Sequence, residues 1–471
     1  KVKIQVDNPD ESFIPGMEVD VNVLTYSTPS ALALPVEAVK TDRGGDYCYT
    51  AELTDPLSTD RALQRILKLA FYDAGTAARG GEPPWGALTG VRPVKIPTKA
   101  MLAGAGPAQA ERLLRDTYRV TEGRRRLAMD CAGASLAALR SLAPGEVSLY
   151  VGIPFCPTRC AYCSFVSADV GRALKLIDPF LDALCRELAA TGAMLADAGL
   201  RVRTVYFGGG TPTTLSAPQL DRLMGELADH IDLSGCTEYT VEAGRPDTIT
   251  AEKLAVLARR GCSRVSVNPQ TMQDAVLERM GRAHRADDIL RAYALARESG
   301  IGCINMDLIA GLPGDSAEGF RASLEQVLDL GPENVTVHTL ALKKGSRLME
   351  EGGGLPSGAA VADMLDFAWA ALRGAGQRPY YLYRQKYMSG SFENVGWCRP
   401  GAESLYNICM MEELHTIVSL GGGGVTKLVD RATGYIERLA NAKYPQEYIQ
   451  KIDAICADKG RVAQFYAAHG R

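Results

Sequence analysis

The sequence predicts an α/β protein built on a partial parallel (β/α)6 barrel of TIM-like form. Three observations predict it. Six short apolar runs, "VSLYVGIP", "RTVYFGGG", "EYTVEAG", "SRVSVNPQ", "INMDLIAGLPG" and "ENVTVHTLAL", begin near residues 147, 203, 238, 263, 304 and 333. Helical stretches of roughly 15–40 residues separate them. Strands buried on both faces and joined by helices form parallel sheets. The residues suited to chemistry, including the cysteines, a glycine triplet, Glu242, Gln270 and Asp307, stand at the ends of these runs. That is where barrel proteins collect their chemistry.

The elements follow in order. Residues 1–52 alternate or run β-branched in "KVKIQVD", "MEVDVNVLTY" and "ALALPVEAVK", with turns at "NPDESFIPG" and "TDRGGD". They predict a short all-β segment. Residues 53–146 read as a helical, Arg-rich N-terminal region, linked at 83–97 by "PPWGALTGVRPVKIP". Its "RRR" at 124–126 reads as a solvated helix face. The barrel is expected over 147–345. Between its first two strands, "DPFLDALCRELAATGAML" reads as a helix with Asp178 as N-cap and Pro179 in the first turn. Phe180, Leu181, Leu184 and Leu188 share one face of it. Residues 346–471 read as a mixed α/β C-terminal region that covers the substrate, with "LGGGGVTK" at 420–427 as a flexible loop.

Composition bounds the class. At 471 residues the chain can hold two or three domains. Its 52 basic and 55 acidic residues nearly cancel, so charge gives no argument for nucleic acid or a membrane surface. No run of about 18 uncharged apolar residues predicts a spanning helix. No signal peptide is read at the first residues. Most of the twelve cysteines lie singly in apolar stretches, as buried thiols do. A disulfide scaffold is not expected at this length, and a reducing, cytoplasmic location is.

Only one tight cysteine cluster exists. In "YVGIPFCPTRCAYCSFVS", Cys156, Cys160 and Cys163 have the spacing C-x3-C-x2-C. Structural zinc takes four ligands, and no nearby Cys or His supplies a fourth, since His230 and His284 are remote in sequence. Iron–sulfur cubes are held by thiolates, normally four. Three would leave one iron open to another ligand. A second motif, "YFGGGTPT" at 206–213, ends the second strand. Consecutive glycines allow close approach of a ligand to the backbone and are expected to leave amide N–H groups free.

Together these motifs resemble the radical S-adenosylmethionine (SAM) superfamily, whose signature is C-x3-C-x2-C with an aromatic residue, here Tyr162, before the last cysteine. The resemblance implies a 4Fe–4S cluster on Cys156, Cys160 and Cys163, with SAM at the open iron. Over about residues 60–460, "VSLYVGIPFCPTRCAYCSF", "PWGALTGVRP", "MDLIAGLPGD" and "RQKYMSGSFENVGWC" are similar to the oxygen-independent coproporphyrinogen III dehydrogenase family, in its HemZ-like branch. That likeness implies an oxidoreductase of anaerobic haem biosynthesis that binds two SAM molecules. By matched strand ends, Tyr150, Gly209 and Glu242 would touch the first, with Val425 lining it from the C-terminal region. Tyr162, Gly210, Thr211, Gln270, Arg282 and Asp307 would touch the second. No catalytic residue beyond these cofactor-positioning groups is expected.

A carboxylate such as Glu242 or Asp307 can accept from ribose hydroxyls or offset a sulfonium charge, and Arg282 can pair with a carboxylate. From the residues alone, Glu242 and Asp307 could equally each be the acidic partner of a buried ion pair in the barrel. The family's tetrapyrrole substrate carries four propionates, for which Arg92, Lys95, Arg384 and Lys386 are candidates, against the alternative of plain surface charge. A flavodoxin- or ferredoxin-type electron donor is implied. One departure stands out: the family's well-studied branch has a further cysteine where this chain has Phe165. That leaves open a haem chaperone or haem-degrading relative on the same core. Residues 1–50 separately resemble the β-barrel segment of periplasmic efflux adaptors, through "FIPGMEVDVNV" and "LALPVEAV", which implies a segment foreign to the enzyme, against the alternative of an unrelated small β-domain.

Overall fold

A computed structural model describes residues 59–163, 173–343, 346–351, 354–385 and 388–470, with the backbone of 3–4, 47–48 and 168–169. The efflux-adaptor likeness, Phe165 and Lys386 fall outside the described residues. The chain divides into two compact units, Lys1–Met129 and Asp130–Arg471.

The first unit carries helices α1 (Thr59–Arg79), α2 (Lys95–Leu102) and α3 (Pro107–Arg112), and the start of α4 (Glu122–Ser141). Trp85 of the Pro/Gly link is 1% exposed. Gly86 beside it has φ +54, and a Cβ there would meet the Tyr118 carbonyl oxygen at 2.2 Å. The link is therefore a packed turn whose glycine is sterically required. The "RRR" stretch is not one solvated face. Arg124 is buried, Arg125 donates to the Val120 carbonyl at 2.7 Å, and Arg126 alone is exposed, 3.5 Å from Glu122 one turn earlier. Three successive residues on a helix point about 100° apart, so they cannot share a face.

The second unit is organised by one sheet of eleven strands. The six read from the sequence are β1 (Glu146–Ile153), β2 (Arg201–Gly209), β3 (Glu238–Glu242), β4 (Arg264–Ser266), β5 (Cys303–Ala310) and β6 (Asn334–Thr339). They pair in sequence order, all parallel. Helices α5 (Ile177–Ala198), α6 (Ala217–His230), α7 (Ala251–Arg259), α8 (Ala286–Glu298) and α9 (Ala317–Leu330) fill the crossovers. After α10 (Gly358–Gly374), β7 (Arg378–Tyr383) and β8 (Asn394–Cys398) add antiparallel strands beyond β6. Helix α11 (Leu405–Glu412) leads back to β9 (Ile417–Gly421), which pairs parallel to β1 as a seventh parallel strand. Strands β10 (Val425–Val429) and β11 (Ile436–Ala440) finish that edge.

The expected flexible loop at 420–427 is thus corrected to the hairpin joining β9 and β10. Its glycines serve contact: a Cβ on Gly421 (φ +83) would lie 2.1 Å from the Gly152 carbonyl oxygen. The N-cap of α5 also differs. Leu176 occupies it, and Asp178 sits in the first turn, where its Oδ1 accepts from Gln219 Nε2 of α6 at 2.7 Å. The apolar face stands as read, with Phe180, Leu181, Leu184 and Leu188 at most 1% exposed. Each such side chain contributes about 1.5–3 kcal/mol over an exposed one.

Along the strands the two faces differ. Val147, Leu149, Val151 and Ile153 of β1 are all fully buried, as are Ile304, Met306 and Leu308 of β5. The alternate residues are polar or aromatic: Ser148 and Tyr150, then Asn305 and Asp307. Period-two alternation therefore places a chemical face inside a barrel with an apolar outer layer.

A buried carboxylate fastens the β9 edge. Glu187 of α5 is fully buried and pairs with Lys459 Nζ at 2.6 Å. It also accepts from the Gly421 amide at 2.8 Å, Asn441 Nδ2 at 2.8 Å and the Tyr448 hydroxyl. Lys459 in turn donates to the Ser419 carbonyl at 2.9 Å. Replacing Glu187 with Ala strands a buried ammonium, and the expected loss of stability is about 3–5 kcal/mol. Urea denaturation checks this; Glu187→Gln, which keeps the shape, should lose less.

Candidate active site

The cysteine loop leaves β1 through Pro154 into Phe155–Cys156, a two-residue strand paired parallel with Ala168–Asp169. Cys156 and Cys163 are half-buried, Cys160 is buried, and none of the three is in a disulfide. Ala161 anchors the loop to the barrel end. Its amide donates to the Met280 carbonyl and its carbonyl accepts from the Leu348 amide, each at 3.0 Å. Its side chain joins Val276, Met280, Ile309, Leu312, Leu340 and Leu348 in a small apolar cluster, with Tyr162 packed against it.

Each sulfur faces a donor or cation. Cys156 Sγ lies 3.3 Å from Thr211 Oγ1. Cys160 Sγ accepts from Arg245 Nη1 at 3.7 Å and is also reached by Arg282 and Tyr162. The Lys343 ammonium stands near enough to Cys163 to interact with it electrostatically. Donors and cations facing sulfur suit a thiolate-held iron–sulfur cluster. Among the described residues no group of three His, Cys, Asp or Glu is gathered as for one metal ion. A cube makes a different demand, because each thiolate meets its own iron and the sulfurs need not converge on a point.

The glycine segment packs directly on this loop. A Cβ at Gly209 (φ +110) would come within 3.0 Å of the Ile153 nitrogen, and one at Gly210 within 2.4 Å of the Phe155 carbonyl oxygen. The expectation of free amides is corrected here. The Gly210 amide donates to the Ile153 carbonyl and the Thr211 amide to the Phe155 carbonyl, each at 2.8 Å. The glycines remove side-chain bulk so that β2 can clamp the cysteine strand, and Thr211 is thereby brought to Cys156.

Next along the inner face stands an aromatic and carboxylate group. Tyr150 and Tyr206 are register partners and stack at 6.2 Å between centroids, while Tyr406 of α11 stacks on Tyr206 at 4.4 Å. Tyr206 donates its hydroxyl to Glu242 Oε1 at 2.5 Å. Burial pushes the Glu242 carboxyl up to about 7, with the hydroxyl bond opposing and the Asp307 charge adding. Asp307 goes the other way. Burial pushes it up, but His338 Nε2 at 3.7 Å and Asn305 Nδ2 at 2.7 Å outweigh that and hold it below the ordinary carboxylate range. Asp307 thus lies at ion-pair distance from His338, whereas Glu242 has the Tyr206 hydroxyl as its partner, and the two acids differ in acidity. Burial pushes the Tyr383 hydroxyl of β7 well above its ordinary value, with both carboxylates adding to the effect.

Gln270 is held against β5: its amide donates to the Asp307 carbonyl at 2.8 Å, and the Ile309 amide donates to its carbonyl at 2.9 Å. Its φ is +69, uncommon for a residue with a Cβ, and its buried Oε1 has no hydrogen-bond partner. Such strain and a buried, unpaired acceptor cluster at ligand sites. Arg282 is 8% exposed, donates to the Asn268 carbonyl at 2.7 Å and keeps an unpaired Nε. Thus Gly209 and Glu242 end β2 and β3, Gly210, Thr211, Gln270 and Arg282 lie in the segments after strands, and Tyr150 and Asp307 lie within β1 and β5; of these, Thr211 and Arg282 reach the cysteines. Val425 stands apart with its side chain 39% exposed, though its carbonyl accepts from Ser419 Oγ at 2.9 Å, and Ser419 is the register partner of Tyr150.

Among the candidate cations, Arg384 is half-buried, donates to the Ser391 carbonyl at 3.0 Å and is pushed down to about 10 by burial. Arg92 and Lys95 are half-buried in the first unit. Sequence reading missed Tyr206, Tyr383, Tyr406 and His338. It also missed the chain Arg245–Asp247–His284, in which His284 Nδ1 lies 3.5 Å from Asp247. Strand parity relative to Glu242 and Asp307 would have picked out Tyr206 and His338; nothing local marks the others.

Comparison with known proteins agrees with this geometry. The model of the radical SAM superfamily matches residues 150–327. The oxygen-independent coproporphyrinogen-III oxidase-like protein HemZ of Bacillus subtilis is 41% identical over 404 residues, covering 85% of this chain and 81% of HemZ. The heme chaperone HemW of the same organism is 31% identical over 309 residues, covering 63% and 77%. Among solved structures, the radical SAM enzyme coproporphyrinogen III oxidase (HemN) of Escherichia coli superposes with a TM-score of 0.55 at 25% identity, over 68% of this chain and 72% of that one. The chain therefore belongs to the radical SAM superfamily, in the family of oxygen-independent coproporphyrinogen-III oxidase-like proteins, as an oxidoreductase whose cofactors are a 4Fe–4S cluster and SAM.

Proposed function

We propose that this enzyme oxidatively decarboxylates two propionates of coproporphyrinogen III to vinyl groups, giving protoporphyrinogen IX in anaerobic haem biosynthesis. The observation that carries the reading is the 41% identity to HemZ across 85% of the chain. In this reading Cys156, Cys160 and Cys163 hold three irons. Tyr150, Gly209, Glu242 and Val425 bind one SAM molecule, and Tyr162, Gly210, Thr211, Gln270, Arg282 and Asp307 a second. When bound, cluster and SAM would supply the radical chemistry for hydrogen-atom removal at the propionate β-carbon, with loss of CO₂ and of one electron to an external acceptor. The chain itself binds, orients and excludes water. Stacked Tyr150, Tyr206 and Tyr406 offer a flat apolar wall, and Asp307 stays ionised beside the less acidic Glu242.

The donor is proposed to be a flavodoxin or ferredoxin type, in the cytoplasm, with neither nucleic acid nor membrane involved. No helix among the described residues is long and apolar enough to cross a membrane. A second reading, a haem chaperone without turnover, is favoured by the relatives named heme chaperones, at 31% and 29% identity. Anaerobic incubation of reconstituted protein with coproporphyrinogen III, SAM and reductant separates the two. A product lighter by two carboxyl groups in mass spectrometry is expected. Stoichiometric haem binding without product would establish the chaperone instead. Replacing Cys156, Cys160 or Cys163 with Ala should abolish iron binding and SAM cleavage.

The lowered acidity of Glu242 has a sign that can be checked. Its folded-state value of about 7 exceeds the ordinary 4.5, so the folded state holds its proton longer. Between those pH values the folded state binds more protons, and stability falls as pH rises. Glu242→Gln removes that slope. Its stability relative to the parent, from urea denaturation, should rise by roughly 3 kcal/mol between acid and slightly alkaline pH.

A further inference from the structure

A buried cationic frame meets the middle cysteine of the loop. Arg245 follows β3 and is 3% exposed. Its Nε and Nη2 contact Asp247 Oδ1 and Oδ2, both at 3.0 Å. That two-point fork fixes the guanidinium plane. The remaining nitrogen, Nη1, is thereby aimed at the cysteine loop: 2.8 Å from Thr158 Oγ1, 3.3 Å from the Thr158 carbonyl oxygen and 3.7 Å from Cys160 Sγ. Asp247 is braced by His284, whose Nε2 lies 3.4 Å from Arg282 Nη1. Cys156, by contrast, has the neutral Thr211 hydroxyl beside it.

We propose that Arg245 is a positioning residue that raises the reduction potential of the cluster, by donating to the Cys160 sulfur and holding a fixed positive charge against it. The proposal rests on the reading of Cys156, Cys160 and Cys163 as cluster ligands. One-electron reduction adds negative charge to the cube and its thiolates. A buried donor and cation at one sulfur stabilise the reduced form more than the oxidised form. Burial excludes the water that would otherwise screen the charge. Arginine suits the task because it stays charged and its fork lets one carboxylate aim it. Asp247 is the counterweight: it orients the cation and offsets part of its charge.

The test is a redox titration of reconstituted full-length protein with dithionite and viologen mediators, reading the reduced-cluster EPR signal alongside iron content. Arg245→Gln should keep its iron and lower the midpoint. At a fixed potential the reduced-to-oxidised ratio should drop about tenfold, 59 mV for a one-electron couple. Asp247→Asn, which leaves the cation and removes its counter-charge, should shift the midpoint the opposite way. An unchanged midpoint in an iron-replete Arg245→Gln protein overturns the proposal. Where that variant loses its iron, an Asp247→Asn midpoint that is unmoved or lowered overturns it. A parent protein without a cluster signal overturns the cluster reading itself, and this proposal with it.

Discussion

Close backbone approach around the end of β1 is the constraint on which the site depends. β2 and β9 flank this strand, and both meet it through glycine. Gly209 and Gly210 press on Ile153 and Phe155, while Gly421 presses on the Gly152 carbonyl. No side chain fits at Gly210 or Gly421, and at Gly209 a positive φ adds to a tight contact. The amides of Gly210 and Thr211 close hydrogen bonds to the cysteine strand. The loop carrying Cys156, Cys160 and Cys163 is therefore sprung from a braced strand end. The same clamp delivers the Thr211 hydroxyl to Cys156.

The barrel keeps its charged groups on the face where they have partners. Outer-facing Val, Leu, Ile and Met side chains are sealed against helices, while the opposite parity presents Tyr150, Tyr206, Glu242, Asn305, Asp307 and His338. Within that set, partners decide the protonation state. Glu242 has one hydroxyl and a like charge nearby; Asp307 has an imidazole and a carboxamide. Two carboxylates of similar burial thus part in acidity. Away from the face, Glu187 resolves its own burial through Lys459 and three hydrogen-bond donors, and in doing so pins the β9 edge beside β1.

Much of this was legible in the chain. The six parallel strands announced themselves because short apolar runs between amphipathic helices have few other solutions. The cysteine loop was legible from spacing within eight residues. Local signals misled where a contact came from elsewhere. "LGGGGVTK" has the composition of a flexible loop, yet pairing with β1 makes it a strand and hairpin. Asp178 looks like a cap, yet Gln219 of the next helix takes it as a partner. "RRR" looks solvated, yet helical geometry turns Arg124 inward.

The sequence by itself determined the parallel α/β architecture, the three-thiol loop and the glycine segment that follows it. These rest on periodicity and short spacings, which the chain carries locally. Tertiary structure alone decided which residues gather around the sulfurs and carboxylates. Arg245 reaches Cys160 across 85 residues and His284 stands by Asp247, although sequence distance set that histidine aside. Tyr406 comes to Tyr206 from the last quarter of the chain. Strand order and register bring such groups together, and both are settled by burying the whole sheet at once, not by any single segment.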